Sequence, residues 1–343
     1  MRKYISELPK SRTIDFLAAV SETLVVLTVL TTSPDVAAEF IRNGGIVAFP
    51  TETVYGLGAN VFDEKALGNI FEAKNRPADN PFIVHVASVG QIDQLASDVP
   101  ESAHRLVRAF FPGPLTVVLP KSDRVPMIAT AGLGSVGVRM PSNKIANRFI
   151  SACGTPIAAP SANLSGRPSP TTWEAVYEDL KGRIDCILQG ELTNIGLEST
   201  VVDCTVEPPA VLRPGAISVE QLRRAIPSIR KETRIDVESP KSPGLKHRHY
   251  SPTASVVVVD PGQTLDSSSN AAFIGISTPS ANLGAVRICQ SVDEYARNLY
   301  EFFRECDRQG IKTIYCETVS PEGIGAALMD RLTRASELHP GGV

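Results

Sequence analysis

The sequence predicts an α/β protein of two units, a larger one built on a mixed sheet and a smaller one that follows a proline-rich connection. Three observations carry this expectation. Short β-type apolar runs alternate with segments whose apolar residues recur three and four apart, from Asp35 to about Ile226. The composition then shifts to Lys, Glu, Ser and Pro, and prolines at 240, 243 and 252 with Gly244 stiffen an extended connection. From Ala254 a second, shorter alternation begins. With 343 residues the chain is long enough to bury two cores.

Each element has a local reason. Ser33 is a good N-cap, Pro34 suits a first helical position and Gly44 stands just past the end, giving a helix over 35–43. Ile46 to Phe49 is a buried-type strand. Leu67, Ile70 and Phe71 repeat at helical spacing, so a helix is expected over 63–74, ending in Lys74-Asn75-Arg76-Pro77 before a strand at 82–86. Further strands are expected at 115–120, 135–140, 156–159, 184–189, 199–204 and 210–213. Helices fall near 102–110, 143–152 and 171–181, and one at 219–226 is opened by a Ser218 and Gln221 capping box. In the second unit, strands at 255–259, 272–276, 286–289 and 312–316 with helices at 292–308 and 323–335 describe a small parallel sheet flanked by helices. Gly56 and Gly58 are read as turn formers.

Residues 1–28 stand apart. The apolar stretch from Thr23 to Leu30 is preceded by Asp15, Glu22 and several hydroxyls, with no small-residue cleavage site, so a signal peptide is not indicated. The expected organisation is an extension over 1–28, a main domain over 29–226, a connection over 227–253 and a small α/β domain over 254–343.

Composition narrows the function. A net charge of -3 and a pI near 6.0 argue against a protein whose main task is to seek nucleic acid, though a local basic patch stays open. The cysteines at 153, 186, 204, 289, 306 and 316 form no CxxC pair, which speaks for reduced core residues in a cytoplasmic protein rather than disulfides or a zinc site. No run of 18 apolar residues suggests a membrane span. There is no G-x-x-x-x-G-K-[ST], no H-E-x-x-H and no complete G-x-G-x-x-G, so P-loop, zincin and dinucleotide chemistry lack support.

What remains is a set of polar turns at strand ends. PTETVYGLGA follows the 46–49 strand, and KNRP places two cations at a helix end, where they complement the helix dipole or meet an anionic ligand. PIAAPSANLSGRPSP holds Ser161, Asn163, Ser165 and Ser169 among prolines and glycines that fix a loop's shape. LEST places Ser199 before a strand, LRPG ends one with Arg213, and HYSP brings His249 and Tyr250 into the connection, next to His247 and Arg248.

In this order and at these spacings, the motifs resemble the YrdC-like threonylcarbamoyl-AMP synthase family, in its longer two-domain form. The likeness is strong from about Val29 to Thr253 and looser beyond. It implies a twisted mixed sheet with a concave active-site face and a Rossmann-like C-terminal domain. It also implies a reaction in which L-threonine, bicarbonate or CO2, and ATP give L-threonylcarbamoyl-AMP and pyrophosphate, for N6-threonylcarbamoyladenosine modification of tRNA by a separate threonylcarbamoyl transferase. ATP would come with Mg2+, and no protein-bound metal is expected. The RNA-binding alternative, a YrdC-like module without ATP chemistry, predicts salt-sensitive affinity. A related carbamoyl-transfer maturation factor would carry cysteine pairs that this chain lacks.

Site residues follow from the same resemblance. Lys74 and Arg76 are expected to neutralise phosphate charge as pyrophosphate leaves. Arg76, Asn80, Thr116, Ser135, Ala159, Ser161, Asn163, Ser169, Arg213 and Tyr250 match ATP-side positions, with Tyr250 part of a lid over the site. Thr53, His85, Arg139 and Ser199 match threonine-side positions, and the Arg139 fork suits a carboxylate.

Overall fold

The computed structural model describes residues 27–232 and 250–336. Residues 1–26 and the His247, Arg248 and His249 of the connection lie outside the described residues. Among those described, β1 (Val29–Thr31), β2 (Val47–Phe49), β3 (Gly56–Asn60), β4 (Ile83–His85), β5 (Leu115–Pro120), β6 (Ser135–Arg139), β7 (Ile157–Ala159), β8 (Cys186–Leu188), β9 (Thr200–Asp203), β10 (Ala210–Arg213) and β11 (Arg230–Lys231) form one sheet. Its order is β1-β8-β2-β3-β7-β4-β6-β5-β9-β10-β11. The sheet is mixed: β4 pairs β6 and β5 pairs β9 in parallel, whereas β3 meets β2 and β7 antiparallel.

Helices cover the two faces unequally. On one face Val47, Phe49, Ile157 and Leu188 pack against α1 (Pro34–Arg42), and Phe149 and Ile150 of a helix over Lys144–Cys153 join the same cluster. The opposite face, with Ala48, Leu57, Val84 and Val138, packs against α2 (Glu64–Lys74) and α3 (Glu101–Phe110). Ser33 caps α1 through its side chain, and Ser218 and Gln221 form the expected capping box ahead of the helix over Val219–Ala225. Asn75 closes α2 in the left-handed region, at φ 50°, and turns the chain from Lys74 toward Arg76.

The second unit is a four-stranded sheet in the order β12-β15-β13-β14, from β12 (Ser255–Val259), β13 (Ser268–Gly275), β14 (Leu283–Ile288) and β15 (Thr313–Glu317). All of its pairs are parallel. Tyr295, Leu299 and Phe303 from the helix over Val292–Gln309, and Leu328 and Leu332 from the helix over Gly325–Ser336, complete its core. Val54, Leu197 and Tyr250 belong to that same core, so the small unit is packed against the loops that end β2 and precede β9.

One expectation is corrected. Gly56 and Gly58 do not form a turn; they lie in β3, antiparallel to β2. Their missing side chains make room across the sheet: a Cβ on Gly58 would stand 2.6 Å from Ile157 Cγ2 and 2.9 Å from Phe49 Cε1. A glycine-rich run scores poorly as a strand because the signal is carried by the neighbours that fill its gap. The edge strands β1 and β11, a 3-10 turn over Val89–Gln94 and a short helix over Met127–Thr130 were also not foreseen. We expect Gly58→Ala to destabilise the protein by about 1–3 kcal/mol through overpacking, and Ile157→Ala, which removes the Cγ2 that the new Cβ would strike, to cost less in the Gly58→Ala chain than alone. Urea-unfolding midpoints of the single and double variants check this.

Candidate active site

A cavity with an empty volume of about 580 Å³ opens beyond the covered part of the first face. Strand alternation sets its floor. Ile83 and His85 of β4 face the cavity while Val84 between them enters the core, and the register sets His85 beside Arg139 of β6 on one side and Ile157 of β7 on the other. Thr51, Thr53, Val54 and Tyr55 enter from the loop after β2, Ala159 and Ser161 from the end of β7, and Ser199 from the start of β9. Arg76, Arg213 and Tyr250 complete the lining.

The cationic groups are held by the protein's own acceptors. Arg139 is 4 % exposed; its Nη1 donates to Thr53 Oγ1 at 2.8 Å and its Nε to the Gly113 carbonyl at 3.4 Å. Its Nη2 stands 2.7 Å from Glu52 Oε1, both side chains being buried, but off hydrogen-bonding angle, so neither Glu52 oxygen has a hydrogen-bond partner. The pair is therefore electrostatic in the main, and Nη2 retains a donor for a ligand. Arg76 donates through Nη2 to the Asn80 carbonyl at 3.0 Å, lies 5.6 Å from the Phe82 ring centre and keeps an unpartnered Nε. Burial lowers its pKa to about 10, which leaves it charged at neutral pH. Arg213 is tied to Ser199, donating to its carbonyl from Nε at 3.2 Å and from Nη2 at 3.0 Å.

Lys74 is not on the cavity wall. Its ammonium, 1 % exposed, donates to the carbonyls of Ser161 (2.6 Å) and Asn163. Burial, then the nearby Arg76 charge, holds its pKa well below the ordinary lysine range. Several other expected residues stand one step behind the wall. Thr116 shares a hydrogen bond with Ser199 (2.8 Å), Asn163 accepts from Ser161 Oγ (2.6 Å) and holds the loop through the Leu164 and Arg167 carbonyls, and Ser169 donates to Glu198 (2.6 Å). Asn80 is buried with both side-chain amide atoms unpartnered, and Ser135 begins β6 away from the wall.

His85 is buried, lies edge-on to Phe49 at 5.8 Å and has no partner for Nδ1. Burial and the Arg139 charge push its pKa down to about 3, so the ring is neutral at physiological pH.

Two acids escaped the sequence analysis although both lie inside the motifs quoted there: Glu52 of PTET and Glu198 of LEST. Glu198 lines the cavity and accepts from Ser169, from the Tyr300 hydroxyl (3.1 Å) and from Arg331 Nε (2.9 Å). Burial would raise its pKa, but Arg331, Arg213 and the Ser169 hydroxyl hold it below the usual carboxylate value. Tyr250 sits at φ 67°, stacked 5.6 Å from the Tyr300 ring. All six cysteines are buried and free. Among the described residues no group of three or more His, Cys, Asp or Glu could hold a metal, and no helix is long and apolar enough to cross a membrane.

A family model described as "Telomere recombination", for the Sua5, YciO and YrdC proteins, matches residues 39–215, and one described as "Threonylcarbamoyl-AMP synthase, C-terminal domain" matches residues 217–337. The chain belongs to the Sua5/YciO/YrdC family. Family relatives named threonylcarbamoyl-AMP synthase include one from Pyrococcus abyssi, 46% identical over 88% of this chain and 93% of its own length. Another, from Bacillus subtilis, is 41% identical over 88% and 92%. The solved family structure of P. abyssi Sua5 complexed with L-threonine superposes with a TM-score of 0.82 at 44% identity, covering 90% of this chain and 97% of that one.

The buried His85 gives the fold a pH dependence with a definite sign. Below its ordinary pKa of 6.5 the unfolded chain binds a proton that the folded protein refuses until about pH 3, so stability falls as pH drops through that window. Well below pH 6.5 the slope approaches about 1.4 kcal/mol per pH unit. Glu198 and Asp179, whose pKa values are depressed, add their own loss only below about 4.5 and 3.8, their ordinary values. Chemical denaturation at pH 7 and pH 5 should therefore show a drop in wild type that His85→Asn largely removes.

Proposed function

We propose that the protein is an L-threonylcarbamoyladenylate synthase, converting L-threonine, bicarbonate and ATP into L-threonylcarbamoyl-AMP, pyrophosphate and water for the threonylcarbamoylation of tRNA adenosine. The observation that carries this reading is a single cavity walled by Arg76, Arg139 and Arg213, a neutral histidine and a row of hydroxyls. Full-length relatives bearing that enzyme's name add to it. The charge distribution suits two anionic ligands, an amino-acid carboxylate and a triphosphate.

The threonine side is assigned to Arg139, Thr53, His85 and Ser199. Arg139 is pre-oriented by Thr53 and paired with Glu52, and its Nη2, which makes no hydrogen bond within the protein, is assigned to the carboxylate. The neutral His85 adds no positive charge beside an amine that must lose its proton before taking up CO2 or bicarbonate. The resulting carbamate oxygen attacks the α-phosphorus and pyrophosphate departs, a transfer that rests on positioning and charge stabilisation more than on covalent help. Arg76 is assigned to the departing phosphates. Lys74 supports it from behind by fixing the loop carbonyls of Ser161 and Asn163.

The cavity wall carries one carboxylate, Glu198, already engaged by three donors. Mg2+ would accordingly ride on phosphate oxygens and water, the usual arrangement for nucleotide-bound magnesium, where it neutralises charge on the leaving group. The product passes to a separate threonylcarbamoyl transferase. The domain boundaries we assign are 29–226 for the catalytic unit and 254–343 for the smaller one.

The deciding experiment measures pyrophosphate release from ATP while mass spectrometry follows the adduct, with threonine or bicarbonate omitted in turn. Release that needs both and yields threonylcarbamoyl-AMP is expected; folded protein with Mg2+ that yields none would move the reading to RNA binding. Side-chain selectivity is a second check. Recognition of the threonine hydroxyl should reject valine by on the order of 10^4, while serine, lacking only a methyl, loses roughly 10- to 200-fold. Comparable turnover with valine would contradict hydroxyl recognition.

A further inference from the structure

The LEST, LRPG and HYSP motifs, far apart in sequence, converge on one side chain that none of them contains. Arg331, on the helix over Gly325–Ser336 of the C-terminal unit, is fully buried. Its Nε donates to Glu198 Oε2 at 2.9 Å, its Nη2 to the Pro214 carbonyl at 3.2 Å, and its Cζ lies 5.2 Å from the Tyr250 ring centre. Asp330 neutralises the remaining Nη1 at 2.5 Å. Tyr300, from the other helix of that unit, donates to the same Glu198 oxygen and stacks on Tyr250 at 5.6 Å.

We infer that Arg331 and Tyr300 are positioning residues of the synthase site: the C-terminal unit orients Glu198, through it Ser169, and seats Tyr250 against the cavity. The inference rests on the synthase reading. Glu198 Oε1 takes the Ser169 hydroxyl while Oε2 faces the two C-terminal donors, so the carboxylate is a two-sided link between the small unit and the wall. Tyr250 is held at φ 67°, a conformation that costs a non-glycine residue energy and persists only where its surroundings fix it. The ring is contacted by both the Tyr300 face and the Arg331 guanidinium.

A comparison within the same interface separates positioning from mere support. Arg304 is also a buried arginine of the C-terminal unit paired with an acid of the larger one, donating to Asp179 at 2.9 and 3.2 Å and to the Pro168 carbonyl at 2.6 Å. It does not line the cavity or touch Glu198 or Tyr250. Both variants, Arg331→Gln and Arg304→Gln, should lower the melting temperature of the full chain.

Only Arg331→Gln should slow threonylcarbamoyl-AMP formation at saturating substrates, by roughly ten- to a hundredfold, with Arg331→Lys recovering part of the loss. Its kcat/KM profile should also change. Glu198 is faced by Arg331, Asp330, Tyr300 and Tyr250 on one side and by Arg213 and Ser169 on the other, so loss of the Arg331 charge moves its protonation, and the acidic limb of the profile, to higher pH. If Arg331→Gln does not fold, Tyr300→Phe removes one donor to Glu198 while keeping the stacked ring, and should give a smaller effect of the same direction. Arg331→Gln that matches Arg304→Gln in rate and pH profile, or Tyr300→Phe with the wild-type rate and profile, overturns the inference. Wild-type enzyme that makes no adduct overturns the synthase reading, and this inference with it; adduct from wild type together with unaltered variants overturns this inference alone.

Discussion

Glu198 is a buried carboxylate that stays ionised because donors from two structural units meet on it. Ser169 reaches it from the larger unit, Tyr300 and Arg331 from the smaller one. An ion taken out of water at such a place is costly unless every lone pair finds a partner. The cavity therefore has its present walls only while the two units are docked: removing either side would leave an uncompensated charge against the other. The interface adds Arg304 on Asp179, and Gly196, where a Cβ would stand 2.5 Å from Arg297 Cα, brings the two backbones together at a spot that admits no side chain.

Such buried pairs are weak arguments for overall stability, because desolvation offsets much of their Coulombic gain. Their effect is on geometry. Arg139 is aimed by Thr53 and Glu52, Arg213 by Ser199, and Arg76 by the Asn80 carbonyl, so the cationic wall is set before any ligand arrives. Groups fixed in advance need no reorganisation when charge develops during reaction, which is where electrostatic catalysis gains its advantage. The apolar cores on the two faces of the main sheet hold the strands that carry these groups at a fixed register.

Much of this architecture was legible in the chain. Ser33 and Ser218 marked helix starts because capping is a local matter, decided within four residues. The strands at 115–120 and 210–213 stood out because apolar and β-branched runs bounded by polar turns have few other uses. Strand β3 was not legible, since its glycines are justified only by Phe49 and Ile157 across the sheet. Glu52 and Glu198 were overlooked inside quoted motifs, because an acid among hydroxyls looks like ordinary turn chemistry until its arginine partners are located.

The sequence by itself determined the alternation of elements, the two-unit division of the sheets, the order of the polar motifs and, through those motifs, the family. Tertiary structure alone decided which expected residues touch the cavity and which brace it, sending Lys74, Thr116, Asn163 and Ser169 behind the wall. It alone also brought Arg331 and Tyr300 to Glu198, across 133 and 102 residues of chain. The physical reason is one of range. Capping, turn formation and strand alternation are set by near neighbours, whereas the partner of a buried charge is set by how two cores dock, and no local pattern encodes that distance.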